Sequence, residues 1–360
     1  MAWGTKLWLM LLCFAATCMK HSIHGKPQVP CLFIFGDSSS DNGNNNYLPV
    51  TSKANWSPYG VDFPKGVTGR YNNGKTTIDR IGELLGFPDF IPPYADYLPP
   101  YPNPHVSDIF QGVNYASAGG GIDEQTGNNL GQVFSLSDQI NHHRAIFFQI
   151  ASELGSIQKA RNHLNQCLYY LDIGTNDYTI NYYVTDIYST SVNYTTQQWA
   201  NHLHDEYYKH LMVLHGYGAR KFALSGVANL GCRPYQIRLH RAKGCVESIN
   251  DAVQLFNEGL RPLVDRFNKE YPSSKFKYVN YTAIQSSIFP DFITGVPCCQ
   301  TEKFFGACRY NGTYCKNREK YAFWDESHTS DAFNKIAAEK SYNDPKSSFT
   351  YPMDIKTLVK

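Results

Sequence analysis

"FIFGDSSSDNGNNN", residues 33–46, changes character abruptly. The apolar run Cys31–Phe35, rich in strand formers, stops at Gly36, and an aspartate, three serines and a cluster of asparagines follow. Residues of that kind end strands and build turns. Three further runs have the same apolar composition: "CLYYLDI" (167–173), "KFALSG" (221–226) and "KFKYVN" (275–280). Helical patterns lie between them. Trp199, Leu203, Tyr207, Leu211 and Leu214 share one face, as do Ile249, Val253, Phe256, Leu260, Val264 and Phe267; "TTIDRIGELLGF" (76–87) carries a glycine suited to a helix stop. Strands alternating with helices predict an α/β fold with a parallel sheet wrapped on both faces. Ligands of such sheets sit at the carboxyl ends of the strands. That rule selects "GDSSSDNGNNN", the glycine-rich "IFQGVNYASAGGGI" (109–122) and "GTNDY" (174–178) as segments meeting at one edge.

The chain has 360 residues, 42% hydrophobic and 18% charged, enough for a sizeable core. A net charge of +2 gives no electrostatic reason to expect nucleic acid or an acidic membrane surface as partner. Lys6 precedes the apolar run Leu7–Ala16, which is too short to span a bilayer. Residues 1–25 therefore read as a secretory signal, cleaved between about Thr17 and Gly25. Residues 26–360 read as a single domain with long loops, and no later stretch reads as transmembrane. The loops are the proline-rich Phe87–His105 and the tyrosine-rich Tyr178–Thr196. Sequons at Asn55, Asn193, Asn280 and Asn311 are candidate glycosylation sites. Eight cysteines remain beyond the signal, an even number that favours disulfides in an oxidising compartment. Cys232 and Cys245 bracket a short loop and are the expected pair. The cysteine-rich tail 298–315 lacks any Cys-x-x-Cys pair, so no metal is expected there. His142 and His143 read as surface residues of a helix, and His202 and His204 as flanking the polar face of another.

Ser38, at a strand end, would present a hydroxyl at the sheet edge, at a helix N-terminus or a turn. Taken alone, Gly-Asp-Ser is an ordinary turn or cap. A nucleophilic serine needs a base and a group to orient that base. "FWDESHTSDAFN" (323–334) offers His328 three residues after Asp325, a spacing that puts both side chains on one side of a turn. With 12 histidines and 31 acids, about one such pair is expected by chance, so the spacing alone does not identify a site. Donors for an oxyanion could come from the backbone of Gly119–Gly121 and from the Asn176 amide. Each of these also has a plain reading as a turn residue.

Together, and in this order, "FIFGDSSSDNGNNN", "GVNYASAGGGI", "LYYLDIGTNDY" and "FWDESHTSDAFN" closely resemble the motif blocks of plant GDSL-type esterases/lipases of the SGNH hydrolase superfamily. "GRYNNGKTTIDRIGELLGF", "NLGCRPYQ" and "YPMDIKTL" extend the resemblance over nearly all of the chain beyond the signal. The resemblance implies a flavodoxin-like α/β/α sandwich and a Ser–His–Asp triad working without metal or organic cofactor. Ser38 is then the nucleophile, His328 the base and acid, and Asp325 its orienter. Asn176, a glycine of the second block (Gly119, with Gly120 nearly as good) and the Ser38 N–H form the oxyanion hole. The implied protein is a secreted, extracellular (apoplast or cell-wall) monomer acting on small-molecule, lipid or cell-wall esters. An acyltransferase using the same acyl-enzyme, or a catalytically silent glycoprotein, are the alternatives. Two positions depart from the family: Ser39 stands where leucine is usual, and Thr329 where proline is usual. Ser39 is read as replacing a packing residue, and Thr329 as loosening a rigid turn.

Overall fold

The structure is a computed structural model that describes residues 26–98, 109–303 and 305–360. The expected signal segment and part of the proline-rich loop lie outside the described residues. The four apolar runs form β1 (Leu32–Gly36), β2 (Leu168–Asp172), β3 (Lys221–Ser225) and β4 (Lys275–Val279), all parallel, and β5 (Thr350–Tyr351) adds antiparallel to β4. The strand order is β1-β2-β3-β4-β5. One more segment lies along the free edge of β1. The N–H groups of Leu32 and Ile34 donate to the carbonyls of Gln111 and Val113, both at 3.0 Å, and the Tyr115 N–H donates to the Ile34 carbonyl at 2.8 Å. With residues 111–115 counted as second in the chain, the spatial order becomes 2-1-3-4-5-6, whose five parallel members 2-1-3-4-5 follow the flavodoxin-like winding.

Alternation along the strands builds two cores. Phe33, Phe35, Tyr169, Leu171, Phe222 and Leu224 face one side and Leu32, Ile34, Leu168, Tyr170 and Ala223 the other. The first face is covered by α2 (Leu136–Glu153), α3 (Ile157–Leu164), α4 (Thr196–Tyr217) and α6 (Glu247–Glu270), and the second by α1 (Thr77–Leu85), α8 (Asp331–Tyr342) and α9 (Ile355–Leu358). The buried stripe of α4 is Trp199, Leu203, Tyr207, Leu211 and Leu214, and burying each such side chain stabilises by roughly 1.5–3 kcal/mol. Helix starts are written in the sequence: Thr76 with Asp79, Ser135 with Asp138 and Thr195 with Gln198 form reciprocal capping boxes. Gly86 closes α1 in the left-handed conformation, φ 88°. Between β3 and α6 runs the short helix α5 (Pro234–Leu239), and α7 (Tyr281–Ile288) follows β4. No helix of the described residues is long and apolar enough to cross a membrane.

His143 corrects the surface reading of the histidine pair. It lies seven residues after Leu136 and three after Ile140, on the buried face of α2, and is 0% exposed. Its ring nitrogens meet the hydroxyls of Tyr115 (3.2 Å) and Tyr169 (3.4 Å), and burial pulls its pKa down to about 3. Its neighbour His142 stacks on Tyr94 with ring centroids 4.2 Å apart, and burial pulls its pKa down to about 4. The eight cysteines pair as Cys31–Cys167, Cys232–Cys245, Cys298–Cys315 and Cys299–Cys308.

Candidate active site

After β1 the chain makes a single turn: the N–H groups of Ser40 and Asp41 both donate to the Asp37 carbonyl, at 3.1 and 2.9 Å. No α-helix begins here, so Ser38 sits on an isolated turn and not at a helix N-terminus. The Asp37 carboxylate stays inside the turn, accepting the Ser39 N–H at 2.9 Å. Ser38 itself is left half-buried at the mouth of a cleft that His328 also lines.

His328 reaches Ser38 from the far end of the chain. Asp325 is 1% exposed, and its Oδ1 accepts the N–H groups of Ser327 (2.8 Å) and His328 (2.7 Å), which folds residues 325–328 into a tight turn. The turn swings the imidazole back over the carboxylate, Nδ1 lying 2.8 Å from Oδ2 and 3.0 Å from Oδ1. A carboxylate only accepts, so Nδ1 carries the ring proton and Nε2 is free to accept. Nε2 lies 2.8 Å from Ser38 Oγ. The buried Tyr59 hydroxyl donates to Asp325 Oδ2 at 2.8 Å and accepts the Cys308 N–H at 3.0 Å. The turn is thereby tied to the disulfide-linked segment 298–315. Thr329, which the sequence reading took to loosen this turn, is anchored: its hydroxyl donates to Asn334 Oδ1 at 2.6 Å, and the Asn334 amide donates to the Lys75 carbonyl at 2.9 Å.

The asparagines of the opening stretch hold the glycine-rich segment. Asn44 donates to the carbonyls of Asn114 (2.9 Å) and Ala116 (2.8 Å), and Asn45 to that of Ala118 (2.8 Å). Asp41 accepts the N–H groups of Gly43 and Asn44 on one oxygen, both at 2.8 Å, and that of Ala118 on the other at 3.1 Å. Burial pushes the Asp41 pKa up to about 6. On the far side Asp177 accepts the N–H groups of Ile122 (2.9 Å) and Asp123 (3.0 Å), and burial raises its pKa to about 7. Between these clamps Gly119 adopts φ 93°, a conformation that favours glycine. The Gly120 N–H is spent on the Ser117 carbonyl at 3.0 Å, whereas those of Gly119 and Ser38 enter none of the turn's backbone hydrogen bonds. Asn176 gives one amide hydrogen to the Gly120 carbonyl at 2.9 Å and keeps another.

The cleft at Ser38 is small, about 40 Å³, and its walls include Ser39, Tyr71, Thr77, Arg233, Tyr281 and Asn334. Two roomier hollows, about 490 and 470 Å³, lie against Phe90 and Ile91 and contain none of Ser38, Asp325 or His328. Asn55, Asn193 and Asn311 are exposed; Asn280 is half-buried at the end of β4, where its side chain caps α7 by accepting the Ala283 N–H at 3.0 Å. His202 contacts Asp123 (2.8 Å) and His204 the Phe256 carbonyl (2.8 Å). Cys31, His163 and Cys167 lie together in a grouping of metal-ligand type, but the two sulfurs are joined in a disulfide. The sequence reading passed over Asp41, Asn44, Asn45, Tyr59, Asp177 and Arg233; the first three stood in the quoted stretch itself, as polar residues too many for one turn.

The family model GDSL-like Lipase/Acylhydrolase matches residues 32–341. A GDSL esterase/lipase of Arabidopsis thaliana is 42% identical, covering 98% of this chain and 96% of the relative, and a second from the same plant is 38% identical, covering 98% of each. A solved carbohydrate acetylesterase from Sinorhizobium meliloti is similar at 12% identity with a TM-score of 0.35, covering 86% of this chain and 94% of that one. The chain belongs to the GDSL-like lipase/acylhydrolase family and is a hydrolase acting on ester bonds.

Proposed function

We propose that this chain cleaves carboxylic esters through an acyl-enzyme formed on Ser38. The observation that carries the reading is the continuous contact Asp325 Oδ2–His328 Nδ1–His328 Nε2–Ser38 Oγ, with both hydrogen bonds at 2.8 Å. His328 Nε2 takes the Ser38 proton as Oγ attacks the ester carbonyl. The free N–H groups of Ser38 and Gly119 and the spare hydrogen of Asn176 receive the oxyanion. His328 then protonates the leaving alcohol, and a water, deprotonated in turn by His328, releases the acid. Asp325 holds the imidazole in the productive tautomer and stabilises its charged form. The four disulfides fit an oxidising compartment, and the protein is proposed to be secreted with glycans on the exposed Asn55, Asn193 and Asn311. Ser38→Ala tests the assignment. Its kcat on short 4-nitrophenyl esters is expected to fall at least about a thousandfold, with loss of labelling by a fluorophosphonate probe. A purified, folded S38A protein that turns over at the wild-type rate would overturn it.

A further inference from the structure

Arg233 has no role in the chemistry above, yet it lines the cleft that holds Ser38 and His328. Its backbone is pinned on both sides. Cys232 before it is bonded to Cys245, and Pro234 after it opens α5. Proline holds the preceding residue extended, and Arg233 has φ −69° and ψ 139°. Its N–H donates to the Leu230 carbonyl at 3.1 Å and its carbonyl accepts the Ile237 N–H at 3.1 Å. The side chain is thus delivered to the cleft from a rigid base. Among the described residues its guanidinium makes no hydrogen bond and no ion pair. Asp37, Asp325 and Asp172 act on Arg233 only through space. Burial pulls its pKa down from the ordinary value, but an arginine remains a cation at any working pH.

A planar fork of five donors, half-buried and unspent beside a nucleophile, matches a carboxylate in shape and charge. Arg233 shares one cleft with Ser38 and His328, so a carboxylate held by the guanidinium belongs to the same bound molecule as the ester. We propose that Arg233 is a substrate-anchoring residue that selects esters bearing a free carboxylate on their acyl or alcohol half. This rests on Ser38 being the nucleophile and on the hydrolytic reading.

The test uses matched esters that differ in one charge. 4-Nitrophenyl hydrogen succinate and its methyl ester place the carboxylate on the acyl half; 3-acetoxybenzoate and 3-acetoxybenzamide place it on the alcohol half. The readout is the ratio of kcat/KM, anionic over neutral, in the wild type, R233K and R233Q. In one of the two pairs the wild type should favour the anion. R233Q should lower that ratio about tenfold to a hundredfold, the worth of a charge-assisted hydrogen bond, and R233K should fall between. Which pair responds names the half that carries the charge. A ratio unchanged by R233Q in both pairs overturns the proposal, and so does a wild type that favours both neutral esters. If no ester is cleaved, the hydrolytic reading has failed by itself. Calorimetric binding of succinate and benzoate to the resting protein then decides on Arg233: binding at least tenfold weaker in R233Q supports the anchor, and equal or absent binding sinks it.

Discussion

Asp41→Asn changes one atom in a side chain that touches no substrate, and it should separate stability from activity. Asp41 is 0% exposed and accepts three backbone N–H groups, two on Oδ1 and one, from Ala118, on Oδ2. Burial lifts its pKa from 3.8 to about 6 in spite of those bonds. That rise corresponds to about 3 kcal/mol. Because the folded state holds the proton more tightly than the unfolded chain, this contribution is complete below pH 4 and is lost as pH rises through about 6. Asparagine does not titrate. The stability of D41N relative to wild type should therefore move in the variant's favour by about 2 kcal/mol between pH 4 and pH 7, read from urea unfolding at each pH. Activity should move the other way. The amide has one acceptor oxygen, which stays with Gly43 and Asn44, and its NH₂ then faces the Ala118 N–H. Two donors repel, and the displaced residue precedes Gly119. With single oxyanion donors worth about 10²–10³ in kcat, a partial displacement should lower kcat about tenfold to a hundredfold at pH 7.5. A stability difference that does not change with pH, or a variant with wild-type kcat, would refute the reasoning.

His143→Gln should flatten acid unfolding. His143 is neutral in the fold, with a pKa pulled down to about 3 by burial, so its contribution is present above pH 6.5 and is lost as pH falls below that. The loss reaches about 3 kcal/mol by pH 4.5 and should be absent in H143Q, as urea unfolding at pH 4.5 and 7 would reveal; equal slopes in the two proteins would contradict it. Thr329→Val removes the 2.6 Å bond to Asn334 beside His328. It should destabilise by about 1 kcal/mol and lower kcat/KM a few-fold, and a variant with unchanged urea midpoint and kcat/KM would show that the hydroxyl does not anchor the turn.

Most of the fold was legible because its signals are local. The apolar runs of β1 to β4 and the stripes of α4 and α6 have the right period within a few residues of each other. What escaped was set by distant partners. Residues 111–115 read as part of a glycine-rich turn, and only the vacant edge of β1 gives them strand geometry. β5 has two residues, too few to carry a period. The surface reading of His143 failed because polarity was weighed above helical phase. In the candidate site, Ser38, Asp325 and His328 could be named together from the order of the blocks, and the structure brings the three side chains into hydrogen-bond contact. Tyr59 could not be found that way. It is an aromatic residue in a loop until the chain closes over a separation of 266 residues and sets its hydroxyl on Asp325. Arg233 likewise carries no signal of its own in the sequence; its place in the cleft depends on a backbone flanked by the Cys232–Cys245 disulfide and Pro234.

The charges below Ser38 pose a problem that the buried groups resolve together. Asp37 follows β1 and Asp172 ends β2, and the register that pairs Gly36 with Asp172 sets the two acids side by side. Two full negative charges there would oppose the oxyanion proposed to form at Ser38. Burial raises the pKa of Asp37, outweighing the Ser39 N–H and Arg233; burial and repulsion from Asp37 raise that of Asp172 to about 7. Near neutral pH the pair therefore carries less than its formal charge. Arg233 faces what remains without closing an ion pair on it. The acids can then keep their structural duties, Asp37 holding the Ser39 N–H and Asp172 accepting the Ser40 hydroxyl at 3.2 Å, with less repulsion of the reacting carbonyl. The polar residues that end β1 thus combine turn formation with a local field compatible with negative charge at Ser38.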